Sequence, residues 1–98
     1  MKKTYLKTRK GICKVTFQLP KVAGVLTASL VGEFNHWDPH ATPMRRTKNG
    51  GFSVTLELEA GQDYRFRYLL DGTQRQNDPH ADRYVPNDFG SEDSVVST

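Results

Sequence analysis

The sequence predicts an all-β protein, folded as an antiparallel β-sandwich of about seven strands. Apolar and polar residues alternate with a period of two in several short runs, which is typical of half-buried strands. Turn-forming Gly, Pro, Asn and Asp separate these runs at intervals of about 8–12 residues. No segment repeats its apolar residues with the helical period of 3.6. The 98 residues are enough for one domain with one modest core.

Two strands are predicted in the first third of the chain. The first lies within residues 11–20, where Pro20 ends a run whose apolar face carries Cys13, Val15, Phe17 and Leu19. The second covers residues 25–34, and its apolar face carries Leu26, Ala28, Leu30, Gly32 and Phe34. A glycine within such a pattern indicates a bulge or a close backbone approach.

The second strand ends in a turn that carries the only tryptophan. Asn35, Asp38 and Pro39 are turn formers, so the strand cannot continue past Trp37. A large flat ring in a turn beside a strand end can serve as a binding platform or can fill the core. The residues alone leave both roles open.

The middle of the chain predicts a short edge strand and two hairpin arms. Residues 42–47 begin near a proline and favour an edge strand. Asn49-Gly50 predicts a tight turn before the most regular strand, residues 52–58. In the next strand, residues 63–70, one face carries Tyr64, Phe66, Tyr68 and Leu70, and the other carries Arg65, Arg67 and Leu69.

The last third predicts two more strands around a long loop. Asp71-Gly72 is typical of a primed hairpin turn and leads to a polar strand over residues 74–77. Residues 78–90 contain two prolines and no periodicity, so we expect a long loop, a kind of segment that often carries function. Residues 94–97 are predicted as the final strand.

Charge is concentrated at the N-terminus. The formal net charge is +3, and five of the fourteen basic residues fall within residues 1–10. We expect these residues to form a flexible basic arm ahead of a single domain over residues 11–98. Nucleic-acid binding by this arm is the alternative to a solvated segment, but the sequence contains no recognisable groove-reading motif.

The composition excludes several classes of site. One cysteine, Cys13, excludes an internal disulfide and a cysteine-based zinc site, and its place in a strand indicates a small buried side chain. No apolar run reaches the roughly 20 residues of a membrane span, and no apolar region follows Met1-Lys2-Lys3, so we expect a cytoplasmic protein.

Catalytic and metal-binding patterns are weak. No nucleophile elbow or Walker loop is present, and the protein is not predicted to be an enzyme or to need a cofactor. Asp38 with His40, and Asp78 with His80 and Asp82, have a spacing that could ligate a divalent ion. Asp-Pro pairs are also ordinary turn formers, so no metal site is predicted.

A set of motifs in fixed order resembles one family, the isoamylase-type early-set domain. This domain precedes the catalytic domain of branching and debranching enzymes of starch and glycogen, and it forms the glycogen-binding domain of the AMP-activated protein kinase beta subunit. The resemblance implies an immunoglobulin-like sandwich without catalytic activity, here as a stand-alone domain. It covers roughly residues 12–96 and rests on Val31 to Trp37, Gly61 to Tyr68, Leu70-Asp71-Gly72, Asn77-Asp78-Pro79 and Arg83 to Asn87.

The same resemblance implies a set of carbohydrate-binding residues. Glycan-binding members of the family stack glucose on two tryptophans, and Trp37 matches the first of them. Arg75 or Gln74 stands at the position of the second. Arg65 matches the assisting basic residue and Phe89 the clamping side chain, and the polar contacts fall at Ser91 and Asp93.

The sequence therefore predicts a non-catalytic module that binds α-glucan such as glycogen or starch. One stacked ring buries about 100 Å², which is worth about 2–3 kcal/mol, so binding through one platform is expected to be weak. The alternative is a protein-interaction or regulatory domain of glycogen metabolism that has lost glycan binding. Its partner would then be a glycogen-metabolising enzyme; no membrane or nucleic-acid partner is expected.

Overall fold

The computed structural model describes all 98 residues and consists of nine strands and one short 3-10 turn, Glu33–Asn35. The strands are β1 (Lys2–Tyr5), β2 (Ile12–Leu19), β3 (Ala28–Gly32), β4 (Arg45–Arg46), β5 (Phe52–Glu59), β6 (Asp63–Leu70), β7 (Gln74–Gln76), β8 (Arg83–Pro86) and β9 (Glu92–Ser97). No helix has the length and hydropathy that a membrane crossing requires.

Two antiparallel sheets pack face to face. The first sheet has the order β1-β2-β5-β4, and the second has the order β3-β6-β9-β8 with β7 also paired to β6. The predicted antiparallel β-sandwich is thus confirmed. Each of the seven predicted strands has a counterpart, and β1 and β8 are additional.

The inner faces of the two sheets meet in one apolar layer of 13 buried residues. Phe17 of β2 meets Phe66 of β6 edge to face, with ring centroids 5.0 Å apart, and Phe66 in turn meets Tyr68. The alternation predicted for β2 and β6 is confirmed, because four alternate residues of β2 and three of β6 are buried in this layer, and Tyr64 of β6 packs against it. Cys13 is fully buried and unpaired, as expected.

A buried hydrogen-bond cluster ties the segment after β7 to the core. The Tyr68 hydroxyl donates to Oδ2 of Asp78 at 2.7 Å, and the Asp78 amide donates to Oγ of Ser94 at 2.9 Å. Burial, together with the negative charge of Asp78, holds the pKa of the Tyr68 hydroxyl far above its usual value. The Tyr84 hydroxyl donates to the Asp78 carbonyl and fixes the start of β8.

The two additional strands are both at sheet edges. Residues 2–5 pair with β2 from Lys2 opposite Thr16 to Tyr5 opposite Cys13, so part of the segment expected as a flexible arm is an edge strand. β8 lies inside the expected long loop and pairs with β9. Both strands are largely exposed, so neither shows the alternation from which strands are predicted.

β3 is shorter than predicted at both ends. Leu26, expected on the inner face, is 77% exposed. Its amide and that of Thr27 donate to Oδ1 of Asp71, at 2.8 and 2.9 Å, which holds this segment as a loop. Asp71 and Gly72 both have positive φ, 49° and 73°, as the predicted primed turn requires.

Candidate functional site

An open groove of about 620 Å³ lies on the outer face of the second sheet. It brings together five of the six residues predicted for the site, and the sixth, Ser91, lies in an adjoining loop without lining the groove. The nine lining residues are Glu33, Trp37, Arg65, Arg67, Arg75, Asn87, Asp88, Phe89 and Asp93.

The Trp37 turn is fixed mainly by one asparagine. Nδ2 of Asn35 donates to the Leu30 carbonyl and to Oγ1 of Thr42, both at 2.9 Å, and Oδ1 of Asn35 accepts from the Gly32 amide at 3.0 Å. The Trp37 amide donates to the Gly32 carbonyl at 2.9 Å. Trp37 adopts φ of 58°, an uncommon value for a bulky residue, which these hydrogen bonds hold in place. Its side chain is half-buried at the groove.

The turn is also joined directly to β6. Oε1 of Glu33 accepts a hydrogen bond of 2.7 Å from the Arg65 amide. Gly32 lies against the same strand: a Cβ added there would be 2.6 Å from the Arg65 carbonyl oxygen and 2.9 Å from Cβ of Phe66. The Trp37 turn and the Arg65 side chain are therefore positioned by one rigid part of the sheet.

Arg65 spans from β6 towards β8 and β9. Its Nη1 donates to the Pro86 carbonyl at 3.2 Å and lies 3.8 Å from Oδ2 of Asp93. Asp93 is almost buried, and its Oδ1 accepts from Nδ2 of Asn87 at 3.1 Å. The carboxylate therefore positions both the arginine and the loop that follows β8.

That loop, residues 87–91, is organised around the Asn87 side chain. Oδ1 of Asn87 accepts from the amides of Phe89 and Ser91 at 3.0 and 3.1 Å, and the Asn87 amide donates to the Ser91 carbonyl at 3.0 Å. Ser91 therefore closes the loop through its backbone. Phe89 projects from the tip at the groove and is 88% exposed.

Three arginines line the groove, each opposite a buried apolar residue on the neighbouring strand. Arg65 faces Val95, Arg67 faces Val31 and Arg75 faces Leu69 in the strand registers. These three apolar residues are buried, although they lie on the outer face and outside the main core. Side chains directly opposite on one face of a sheet are in contact range, so the arginine stems cover this second apolar layer.

Four lining residues were not predicted for the site: Glu33, Arg67, Asn87 and Asp88. Arg67 could have been found, because the alternation of β6 places it on the same face as Arg65, two residues away. Asn87 and Asp88 reach the groove through the pairing of β8 with β9, for which the sequence contains no periodic signal.

The arrangement is suited to binding. A half-buried indole ring lies among guanidinium donors and carboxylate acceptors in one open groove. Such a combination offers an apolar face and convergent polar groups, which is what a ligand with both apolar and hydroxyl surface requires. No cluster of three or more His, Cys, Asp or Glu side chains is arranged to hold a metal ion.

The sequence also matches a known protein family. Residues 26–86, well over half of the chain, match the family model of carbohydrate-binding module 48, the isoamylase N-terminal domain. The chain therefore belongs to this family, as the resemblance of its motifs indicated. The match includes Trp37, Arg65, Arg67 and Arg75 and ends at Pro86, before the loop that carries Phe89.

Proposed function

We propose that this member of the carbohydrate-binding module 48 family binds α-glucan of the glycogen or starch type without catalysing a reaction on it. One observation carries the proposal. The only tryptophan of the chain lies on a fixed turn at the groove, together with Arg65, Arg75, Phe89 and Asp93. Four other residues expected from the resemblance thus share one groove with the ring that would stack on glucose.

Each side chain then has a distinct role. Trp37 offers its ring face to the apolar side of a glucose unit, and Arg65 donates to sugar hydroxyls. Asp93 holds Arg65 in place through the contact at 3.8 Å. Phe89 lies against the outer side of the sugar, so its exposed ring becomes covered when ligand binds.

The affinity is expected to be low. Stacking on one ring contributes about 2–3 kcal/mol, whereas a millimolar dissociation constant corresponds to about 4 kcal/mol. Because Arg75 stands where a second platform is expected, the remaining free energy comes from hydrogen bonds and from Phe89. We therefore expect a dissociation constant for maltoheptaose in the millimolar range.

The single tryptophan makes the test direct, because every change in indole fluorescence or in the indole N–H NMR signal reports on Trp37. Titration with maltoheptaose should shift both signals to saturation, and Trp37→Ala should abolish binding measured through the backbone amides of β6. Tyr5→Ala is the matched control, since Tyr5 is an exposed aromatic residue on the first sheet. No change at Trp37 with millimolar maltoheptaose would contradict the proposal.

A second candidate function is docking to a glycogen-metabolising enzyme without a sugar. It is favoured by Arg75 in place of a second aromatic platform and by Phe89, an exposed aromatic residue on an ordered loop. The two functions differ in the effect of glucan on the complex. A pull-down with glycogen-branching enzyme that survives excess maltoheptaose and fails with Phe89→Ala would favour docking, whereas release of the enzyme by maltoheptaose would favour glucan binding.

A further inference from the structure

Two of the three arginines in the groove have no ionic partner. Arg65 is close to Asp93, but none of the four ion pairs of the structure includes Arg67 or Arg75. Nε of Arg67 is buried and has no hydrogen-bond partner. Arg67 as a whole is only partly buried and lines the groove, so its charged group is placed to pair with an acceptor bound there.

The three arginines lie in a row along one face of the second sheet. Arg65 and Arg67 are alternate residues on one face of the strand and therefore lie roughly 7 Å apart at their Cα atoms. Arg75 is opposite Leu69, the next residue on that face, and so continues the row by one step on β7. The row starts beside the Trp37 turn, because the Arg65 amide donates to Glu33.

Net charge alone does not select an anion here. Three carboxylates, Glu33, Asp88 and Asp93, line the same groove and formally cancel the three arginines. Two of the three are already engaged, Asp93 by Arg65 and Asn87, and Glu33 by the Arg65 amide. Asp88 is exposed and belongs to none of the four ion pairs, so it is the one free carboxylate of the groove. The free donors are concentrated at Arg67 and Arg75.

The chemistry of a guanidinium group indicates which acceptor fits. Its planar fork of N–H donors matches two oxygens of a phosphate at once, and such charged hydrogen bonds are roughly twice as strong as neutral ones. A sugar hydroxyl presents a single neutral oxygen. Two adjacent, unpaired arginines beside a sugar platform are thus better matched to a sugar that carries a phosphate than to a neutral one.

We propose that the groove recognises α-glucan bearing a phosphate monoester, with the phosphate held by Arg67 and Arg75 next to the glucose unit stacked on Trp37. This inference rests on the proposed function, because the glucan is the ligand of Trp37.

The test compares three ligands on the full chain through the Trp37 indole signal: maltoheptaose, phosphorylated maltoheptaose and glucose 6-phosphate. Phosphorylated maltoheptaose should bind about tenfold more tightly than the neutral sugar, since a charged hydrogen bond contributes enough for one decade of affinity. The preference should shrink as salt concentration rises.

Variants then assign the preference to residues. Arg75→Gln, at an exposed position, and Arg67→Gln should each reduce the ratio of the two affinities towards one. Arg45→Gln is the matched control, because it removes the same charge from an exposed arginine without an ionic partner on the first sheet. If Arg45→Gln lowered the ratio of the two affinities as much as Arg75→Gln does, the assignment of the phosphate to Arg67 and Arg75 would be overturned.

The outcomes separate this inference from the proposed function. Equal affinities for neutral and phosphorylated maltoheptaose would overturn the inference and leave glucan binding intact. Failure of both sugars to bind would overturn both. Glucose 6-phosphate binding as tightly as phosphorylated maltoheptaose would also overturn the inference, because the groove would then be a plain phosphate site.

Discussion

Replacing Gly32 by alanine should destabilise the fold and disturb the groove together. The backbone of Gly32 is extended, with φ of −176°, so any residue can adopt it and conformational strain is not the reason. The reason is space. An alanine Cβ would lie 2.6 Å from the Arg65 carbonyl oxygen and 2.8 Å from Cζ of Phe34, and two of its three close neighbours belong to β6.

The size of the effect follows from these distances. Inserting a methyl group into a packed site typically costs 1–3 kcal/mol, and here backbone and ring atoms close the site on several sides, so we expect about 2–3 kcal/mol. For a domain of this length that corresponds to a fall in melting temperature of roughly 10–20 °C. Because Gly32 accepts the Trp37 amide hydrogen bond, relief of the clash should also move the Trp37 turn.

Urea unfolding followed by circular dichroism measures the first effect, and the Trp37 fluorescence spectrum of the folded protein measures the second. Gly61→Ala is the contrasting variant: Gly61 has φ of 75° with no atom near its would-be Cβ, so it should lose about 1 kcal/mol through backbone conformation alone. Its Trp37 fluorescence should be unchanged. A Gly32→Ala protein as stable as Gly61→Ala, with an unaltered Trp37 spectrum, would refute the steric reasoning.

Two further predictions concern the frame around the groove. Tyr68→Phe should lower the free energy of unfolding, measured in urea, by about 1–3 kcal/mol, because the buried Asp78 carboxylate then loses the hydrogen bond of 2.7 Å that the Tyr68 hydroxyl donates to it. Tyr84→Phe, at a more exposed position, should lower it by less. Equal losses in the two variants would contradict this prediction. The amides of Thr27 and Leu26 hold the pKa of Asp71 below its usual value. The ionised carboxylate therefore stabilises the fold fully at pH values above the unfolded-state pKa, and this stabilisation is lost as the pH falls through the folded-state pKa. The free energy of unfolding, measured between pH 7 and pH 2, should therefore fall less steeply below about pH 4 in Asp71→Asn than in the wild type. Parallel pH dependences in the two proteins would contradict a lowered pKa of Asp71.

Much of this structure follows from local patterns. The alternation in β2 and β6 determines which residues enter the core, because a half-buried strand buries every second side chain. The same alternation places Arg65 and Arg67 on the outer face. The turn formers after β3 place Trp37 outside a strand, and Asp71-Gly72 specifies its own turn through two positive φ angles.

The parts that could not be predicted depend on contacts between distant residues. β8 is a strand because β9 pairs with it, and its own residues, Arg83 to Pro86, include a proline and do not alternate. Leu26 is outside the core because Asp71, 45 residues away, accepts its amide hydrogen. Asn87 and Asp88 lie at the groove only because β8 pairs with β9. No local pattern contains such information.

The pairing of each groove arginine with a buried valine or leucine has an evolutionary consequence. A descendant of this chain that no longer met its ligand would still need long side chains at positions 65, 67 and 75, since a short one would expose Val95, Val31 or Leu69 to water. Selection for folding alone would thus preserve long side chains at these positions, but not their charge. Among homologues, a long side chain at these positions is therefore no evidence for binding, whereas replacement by methionine or glutamine, which keeps the length and discards the charge, would mark the lineages in which binding was abandoned.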